Sequence, residues 1–495
     1  MSPDLRPHRV VVAIPLAVTG ALLSGCAAVG PTYTRPDLSP PAAHRGAAMP
    51  PAPESLADVP WWQVFGDEAL QGLIRDAVAY NHDLRLASAR VEEARALAGV
   101  TRSFLYPEVN LTAGYTAAQG SRNGQPPAAG PGGDRTFHNT SIVVSTAWEI
   151  DLFGRLRRNS EAAVARYMAT EEGRRAVLIS LVSDVATSYF LLRELDLQLE
   201  IARRTLAINE KTVGFYLDRL TGGVSNRLEV NQASANRALT GATIPEIERQ
   251  IAMLEHAISV LVGRPPGAIG RGRTLEEQAV PPSIPVGVPA ALLERRPDVV
   301  AAERLLVAAN ADIGAAKALF YPTITLTGSA GALSGDLLDL LRGDSIIWSF
   351  GAGLFQPLFN AGRNRRNYEA ALARFDQALA GYQQAALNAY RDVADALVTI
   401  QKLAQVRVEQ EQGVAALRDA SALVRVRYDS GLSNYLETLI ADQDLFRLEL
   451  QLAQTRGEEL RAFARLYRAL GGGWQGASPT MPTPAKPASA PLSPR

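Results

Sequence analysis

Thiols, imidazoles and clustered carboxylates are where chemistry would first be sought, and the chain is poor in the first two. It holds one cysteine, Cys26, and five histidines, at positions 8, 44, 82, 138 and 256, among 495 residues. The histidines are scattered and make no metal-ligand spacing. One cysteine cannot form an internal disulfide, and no Cys/His or Ser/His/Asp constellation can be argued. An enzyme is therefore a poor expectation, and neither a cofactor nor a metal is called for. The 50 basic and 50 acidic side chains cancel to a formal net charge of zero. Nucleic-acid-binding proteins usually carry a basic excess, so no nucleic acid is expected as a partner.

The chemistry open to Cys26 is acylation. Arg6, His8 and Arg9 form a basic start, and Val10 to Leu23 is an apolar run too short for a confident membrane span. Leu23-Ser24-Gly25-Cys26 then resembles the bacterial lipobox, in which the thiol receives a diacylglycerol and the cysteine becomes the new N-terminus. Residues 1–25 thus read as a lipoprotein signal peptide, and 26–55 as a lipidated N-terminus running into a Pro/Ala-rich extended tether at 37–55. Acyl chains anchor by burying CH₂ groups, each worth roughly 0.8 kcal/mol. Ala27 follows the cysteine, and the lipobox resemblance implies sorting to the outer membrane.

The body of the chain is written twice. Asn81-His82-Asp83 opens a helical run that ends at Leu105-Tyr106-Pro107, and Arg296-Pro297-Asp298 opens another that ends at Phe320-Tyr321-Pro322, 215 residues later (322 − 107). In this register Asp83/Asp298, Ala87/Ala302, Gly99/Gly314, Tyr106/Tyr321 and Thr112/Thr327 are identical. Further on, Gly154-Arg155 recurs as Gly362-Arg363 and Gly223 as Gly431, now at 208 residues (431 − 223). So many matches indicate a duplicated unit. The seven-residue change in offset falls in the Gly/Pro-rich insert from Gln119 to Arg135. The domains read as 56–262, a linker at 263–290, a second repeat at 291–470, and a Gly- then Pro/Ala/Ser-rich tail, 471–495, expected to be disordered.

Each repeat reads helix, strand, loop, strand, long helix, turn, helix. Trp61-Trp62 starts the folded body, Asn81 is a candidate helix N-cap, and Pro297 stands at a first helical position, where its missing N–H costs nothing. Val109, Leu111, Ala113 and Tyr115 alternate with polar or small residues, as do Ile142, Val144, Thr146, Trp148 and Ile150. Ile324, Leu326, Gly328 and Ala330 alternate likewise, and so do Ile346, Trp348, Phe350, Ala352 and Leu354. Each run is about the ten residues a transmembrane strand needs. A half-buried soluble sheet would alternate too, but such strands would not be joined to helices of this length. No proline interrupts Asn159 to Arg219, about 90 Å of helix at 1.5 Å per residue, and Arg363 to Asp429 is similar. Large residues recur at spacings of three and four, which suits coiled-coil pairing. Gly223 and Gly431 suit left-handed C-caps before return helices at Leu228–Val262 and Tyr435–Leu470, the first kinked at Pro245. Four strands cannot close a barrel, since the smallest spanning barrels have eight. Eight from two chains would be filled by side chains, whereas twelve from three chains leave room for a lumen.

Together, Cys26, Val29-Gly-Pro-Thr-Tyr-Thr-Arg-Pro36, Trp61-Trp62, Ala147-Trp-Glu-Ile-Asp-Leu-Phe-Gly154 and Arg296-Pro-Asp298 resemble the outer membrane efflux protein family, the TolC-like exit ducts, in its lipoprotein (NodT-type) branch. The resemblance runs from Cys26 to about Leu470. It implies an α+β membrane protein: a homotrimeric duct with a 12-stranded transmembrane β-barrel, four strands per chain, and a long periplasmic α-helical barrel. It implies a passive exit for drugs or other toxic small molecules, working with a periplasmic adaptor and an inner-membrane resistance-nodulation-division pump. A type I protein-secretion duct and a non-conducting envelope lipoprotein are the competing readings.

Two sets of side chains are expected to serve the duct. Arg155, Arg157 and Arg158 recur as Arg363, Arg365 and Arg366 where a strand hands over to a long helix. Cations there oppose the helix macrodipole, so contact with lipid phosphates at the periplasmic face is expected instead of plain solvation. At the return turns the family resemblance implies a gate: Tyr428, three residues before Gly431, bonding Glu229 (223 + 6) and Glu437 (431 + 6). Both acids are Glu where other members carry Asp. Leu436 matches a hydrophobic ring position, and Ser433 stands where some relatives have a gating arginine. Asp442 and Asp444 lie further along, and acidic rings select cations in pores.

Overall fold

The structure is a computed structural model that describes residues 28–47, 55–60, 64–120, 136–278 and 285–472. The signal segment, Cys26, Trp61-Trp62, most of the Gly/Pro-rich insert and the C-terminal tail after Gly472 lie outside the described residues.

The duplication holds element by element. Helix α1 (Glu68–Tyr80) leads into α2 (His82–Ser103), strands β1 (Glu108–Gln119) and β2 (Thr136–Ile150), and helices α3 (Arg155–Thr221) and α4 (Arg227–Leu261). The second half runs α5 (Pro297–Ala318), β3 (Thr323–Ser334), β4 (Ile346–Phe355), α6 (Arg363–Asp429) and α7 (Tyr435–Ala469). Both long helices have 67 residues and both return helices 35. Pro245 lies inside α4 without ending it. The turns match as well. Gly223 and Gly431 have φ of 73° and 72°. Each ends its helix in a Schellman pattern, with Val224 N–H bonding Arg219 O and Leu432 N–H bonding Arg427 O. Asn226 and Asn434 then cap α4 and α7 through the backbone N–H groups of Glu229 and Glu437.

The chain divides into two compact units. One takes Val91–Thr170, Ala302–Tyr382 and the N-terminal segment up to Asp37. Its four strands form one antiparallel sheet in the order β1-β2-β3-β4, with β1 and β4 as open edges. Leu111 pairs Val144, Val144 pairs Ala330, and Ala330 pairs Trp348. Paired residues share a face, so this register puts all four alternating apolar sets on one side. The opposite side is small and neutral over most of its length: Asn110, Thr112, Ser145, Thr327, Ser329 and Ser349. Val109, Leu111, Tyr115, Trp348, Phe350 and Leu354 are all exposed. A soluble sheet would cover such a face; lipid is the solvent that fits it.

Helix α5 packs on α3 through Ala308, Ala311, Ala162 and Ala165, all buried. Its counterpart α2 leaves Leu97 and Val100 exposed, as is Phe104 just after it. The unpartnered copy, like the open strand edges, calls for a second chain. The N-terminal segment ahead of the expected tether is packed. Val29 N–H bonds Phe153 O at 3.0 Å, Asn310 bonds Pro31 O, and Tyr33 and Arg35 both reach Glu303. This fit needs two glycines, because a Cβ on Gly30 would sit 2.4 Å from the Gly314 Cα.

The other unit takes Leu38–Arg90, Glu171–Ala301 and the chain from Gln383 on. There, within the stretch expected as a tether, His44 is only 6% exposed. Asp67 caps α1 and also accepts from the Tyr189 hydroxyl (2.9 Å), the Arg273 N–H and the Gln278 amide. The two halves tie off their return helices in the same way. Asn81 donates to Leu261 O at 3.0 Å, and its repeat counterpart Arg296 donates to Ala469 O at 3.1 Å. Arg296 is also held by Asp298 at 2.6 Å and Asp392 at 3.1 Å, which gives the Arg-Pro-Asp motif a structural task.

Candidate functional site

Three features built from these elements bear on function: the sheet, the strand-to-helix junctions and the return turns. The sheet presents one apolar and one neutral polar face, as a barrel wall between lipid and lumen requires. Cross-strand bonds such as Ser329 Oγ to Ser349 Oγ, 2.8 Å, lie on the polar side.

At the first junction the arginines are engaged inside the chain. Arg155 grips Glu149 through two nitrogens at 3.1 and 2.7 Å. Arg157 meets Asp151 and the carbonyls of Asp151 and Leu152. Arg158 pairs with Glu161 at 2.8 Å. Carboxylates of their own half thus pair with all three. At the second junction Arg365 and Arg366 share Glu369 and both remain exposed, as does Arg363.

At the return turns the aromatic side chains converge. Tyr216 of α3 lies 4.4 Å from the ring of Tyr435 and 5.8 Å from that of Tyr428, both in edge contact. Tyr216 and Tyr435 are 2% and 3% exposed. The Arg219 guanidinium sits 5.4 Å from the rings of Phe215 and Tyr428, a cation–π arrangement. Burial first, and then the hydrogen bond with Tyr428, raises the Tyr216 hydroxyl far above an ordinary phenol. Burial, followed by the charge of Asp442, pushes Tyr435 up to about 12. These phenols therefore stay protonated donors at any physiological pH.

The expected gate residues fall around this cluster. Tyr428 packs edge-on against Tyr216, while Glu229 accepts from Ser225 and lies close enough to raise Tyr216 and Tyr435. Within one chain Tyr428 and Glu229 are not bonded to each other among the described residues. Glu437 and Leu436 are exposed in the first turn of α7, and Ser433 reaches Val424 O at 3.5 Å. Asp442 is bonded by Ser421 at 2.5 Å and Arg425 at 2.8 Å, beside a cavity of about 260 Å³ that Arg204 and Arg418 also line. Asp444 pairs with Arg447 at 3.1 Å. Asp442 thus has its partners within its own chain. Tyr216, Tyr435 and Arg219 were not singled out from the sequence. The usable signal was aromatic density beside the turn glycines, with Tyr216 seven residues before Gly223 and Tyr435 four after Gly431.

Comparison with known proteins then assigns the chain. The family model for the outer membrane efflux protein matches residues 73–264 and 288–472. The chain belongs to the outer membrane efflux protein family. It is 34% identical over 465 residues to the cation efflux system protein CusC of Escherichia coli O6:H1, covering 93% of this chain and 98% of that one. It is 36% identical over 421 residues to the solvent efflux pump outer membrane protein SrpC of Pseudomonas putida, covering 83% and 87%. Among solved structures, the outer-membrane channel OprN superposes with a TM-score of 0.83 at 32% identity, over 90% of this chain and 99% of that one. The open state of the Neisseria gonorrhoeae MtrE outer membrane channel superposes with a TM-score of 0.82 at 30% identity, again over 90% and 99%. Like the rest of the family, this efflux protein is an outer-membrane channel of a Gram-negative cell. It is a homotrimer of four strands per chain and serves a tripartite pump with a periplasmic adaptor and an inner-membrane pump.

Proposed function

We propose that this efflux channel carries out no chemistry of its own and works as a passive duct whose return-turn end is held shut by the tyrosine cluster. The observation that carries this reading is the packing of Tyr216, Tyr428 and Tyr435 beside both turn glycines, with Arg219 over the Tyr428 ring. None of the three tyrosines has a tyrosine at its repeat counterpart: Val424, Leu220 and Arg227 stand there. The two turns of a chain are thus unequal, as a closure that one turn makes onto the other requires. The neutral polar face of the sheet supports a lumen with little charge selection. Relatives are named for cation efflux and for solvent efflux, so a common duct with cargo chosen by the pump fits this chain, its cargo being drugs or other toxic small molecules.

A neutral hydrogen bond contributes roughly 1 kcal/mol. Three symmetry copies of the Tyr216–Tyr428 bond would bias the closed end by about 3 kcal/mol, a factor of roughly 10² in open fraction. Tyr216→Phe keeps the ring and removes the bond. It should raise single-channel conductance in planar bilayers and sensitise cells to large antibiotics such as vancomycin, and Tyr428→Phe with Glu229→Gln should do the same. Wild-type conductance and sensitivity in both variants would reduce the cluster to simple packing.

A further inference from the structure

The duplication supplies an internal comparison at the strand-to-helix junctions. In the first half Glu149 takes Arg155, Asp151 takes Arg157, and Glu161 takes Arg158. Asp151 also accepts the Arg157 backbone N–H at 2.8 Å, in the first turn of α3. A shift of 208 places Pro357 at Glu149, Phe359 at Asp151 and Glu369 at Glu161, while all three arginines remain. Two of the three carboxylates are therefore lost. Glu369 is shared by Arg365 at 3.0 Å and Arg366 at 2.6 Å, and Arg363 has no ion pair among the described residues. Exposed apolar side chains have come in beside the missing acids, with Leu358 94% and Phe359 90% exposed. The first junction is covered by the N-terminal segment, since a Cβ on Gly154 would meet Ala28 at 2.4 Å. At the second, a Cβ on Gly362 meets nothing within 4 Å.

We propose that Arg363 and Arg365, with Leu358 and Phe359, form a docking site for the phosphate headgroup of an anionic phospholipid of the periplasmic leaflet, one site per protomer. The strand β4 ends at Phe355, so the chain leaves the barrel wall within a few residues of this site. In the first half the Asp151 carboxylate shows what the motif accepts: an anionic oxygen that receives a guanidinium and a first-turn N–H together. A phosphate offers the same oxygens, and charge-assisted bonds to it are among the stronger ones. Leu358 and Phe359 enter the acyl region beneath the headgroup, as apolar side chains at a membrane boundary do. The first-half arginines hold the junction together; the second-half pair faces the lipid.

The test is lipid retention by the purified full-length trimer, read by native mass spectrometry during titration with phosphatidylglycerol or phosphatidylcholine. Wild type should retain up to three phosphatidylglycerols in preference to phosphatidylcholine. Each arginine near an anionic surface is worth a factor of about five, so R363Q/R365Q should weaken phosphatidylglycerol retention roughly 30-fold and leave phosphatidylcholine unchanged. R363Q alone, which breaks no ion pair in the chain, should lose about five-fold and serves if the double variant does not assemble. R155Q/R157Q should lower the melting temperature of the trimer without changing lipid retention. Equal phosphatidylglycerol retention by wild type and the glutamine variants overturns the proposal. So does a wild-type trimer with no preference for phosphatidylglycerol, the result expected if a neighbouring protomer covers the site.

Discussion

The internal repeat predicts the register of the strand pair that joins one protomer to the next. Strands β1 and β4 are the open edges of the sheet in each chain, and β2 with β3 is the pair that joins the two repeats within it. Moving β2 by +208 gives β4, and moving β3 by −215 gives β1. The within-chain pair Ser145 and Ser329 then becomes Gly353 of one protomer and Gly114 of the next (145 + 208, 329 − 215). Val144 and Ala330 become Ala352 and Tyr115, which keeps the apolar faces matched across the joint. Gly114 and Gly353 are good sites for a cross-link, because an added Cβ meets nothing closer than 3.7 Å at the first and 4.0 Å at the second. Opposed residues in an antiparallel pair have Cα atoms roughly 4.5–5.5 Å apart, inside the range of about 4.4–6.8 Å a disulfide tolerates. A slip of two residues moves one strand by about 6.7 Å and opens the separation to about 8 Å, beyond reach. A slip of one residue turns one side chain to the opposite face. In non-reducing denaturing electrophoresis, G114C/G353C should run as a covalent trimer that thiol reductant returns to monomer. T112C/G353C and T116C/G353C should stay monomeric. A cross-link in either slipped pair, or none in any, would refute the transfer of register from repeat to interface.

Two other perturbations probe the anchor and the repeat ties. Cys26→Ser should abolish incorporation of radiolabelled palmitate while the trimer still assembles through its barrel; label retained in the variant would sink the lipidation reading. Arg296→Met removes the guanidinium bonds to Asp298, leaves Asp392 with Arg391 alone and the Ala469 carbonyl without its donor, and, with charge-assisted bonds worth roughly 1.5–3 kcal/mol each, should cost about 3–5 kcal/mol. Asn81→Ala loses only its bonds to Leu261 O and the Leu84 N–H, and should cost roughly 1–3 kcal/mol. Thermal unfolding followed by circular dichroism ranks the two, and a smaller loss for Arg296→Met would contradict the account of the Arg-Pro-Asp motif.

The architecture was legible in the order of residues because it rests on local periodicity and on self-similarity. The offsets of 215 and 208 read from Pro107/Pro322 and Gly223/Gly431 are the offsets of the helices and strands themselves. The alternation of Leu111, Val144, Leu326 and Trp348 named the residues that the register places on one face. Turn glycines and asparagine caps are decided within a few residues of chain, so Gly223, Gly431 and the cap at Asn81 could be placed without a structure. The choice of partner for each charged or hydroxyl group could not. Glu149 claims Arg155 because the chain bends back between them, and Asp442 is neutralised by Arg425 from a different helix. Tyr428 meets Tyr216 across 212 residues of chain (428 − 216), a contact that neither period nor spacing encodes. The segment ahead of the Pro/Ala-rich stretch is packed, because Gly30 and Gly314 let two backbones approach to a distance that any side chain would forbid. Composition and period depend on neighbours along the chain, whereas ion pairs, ring contacts and backbone crossings depend on which distant segments the packed helices bring together.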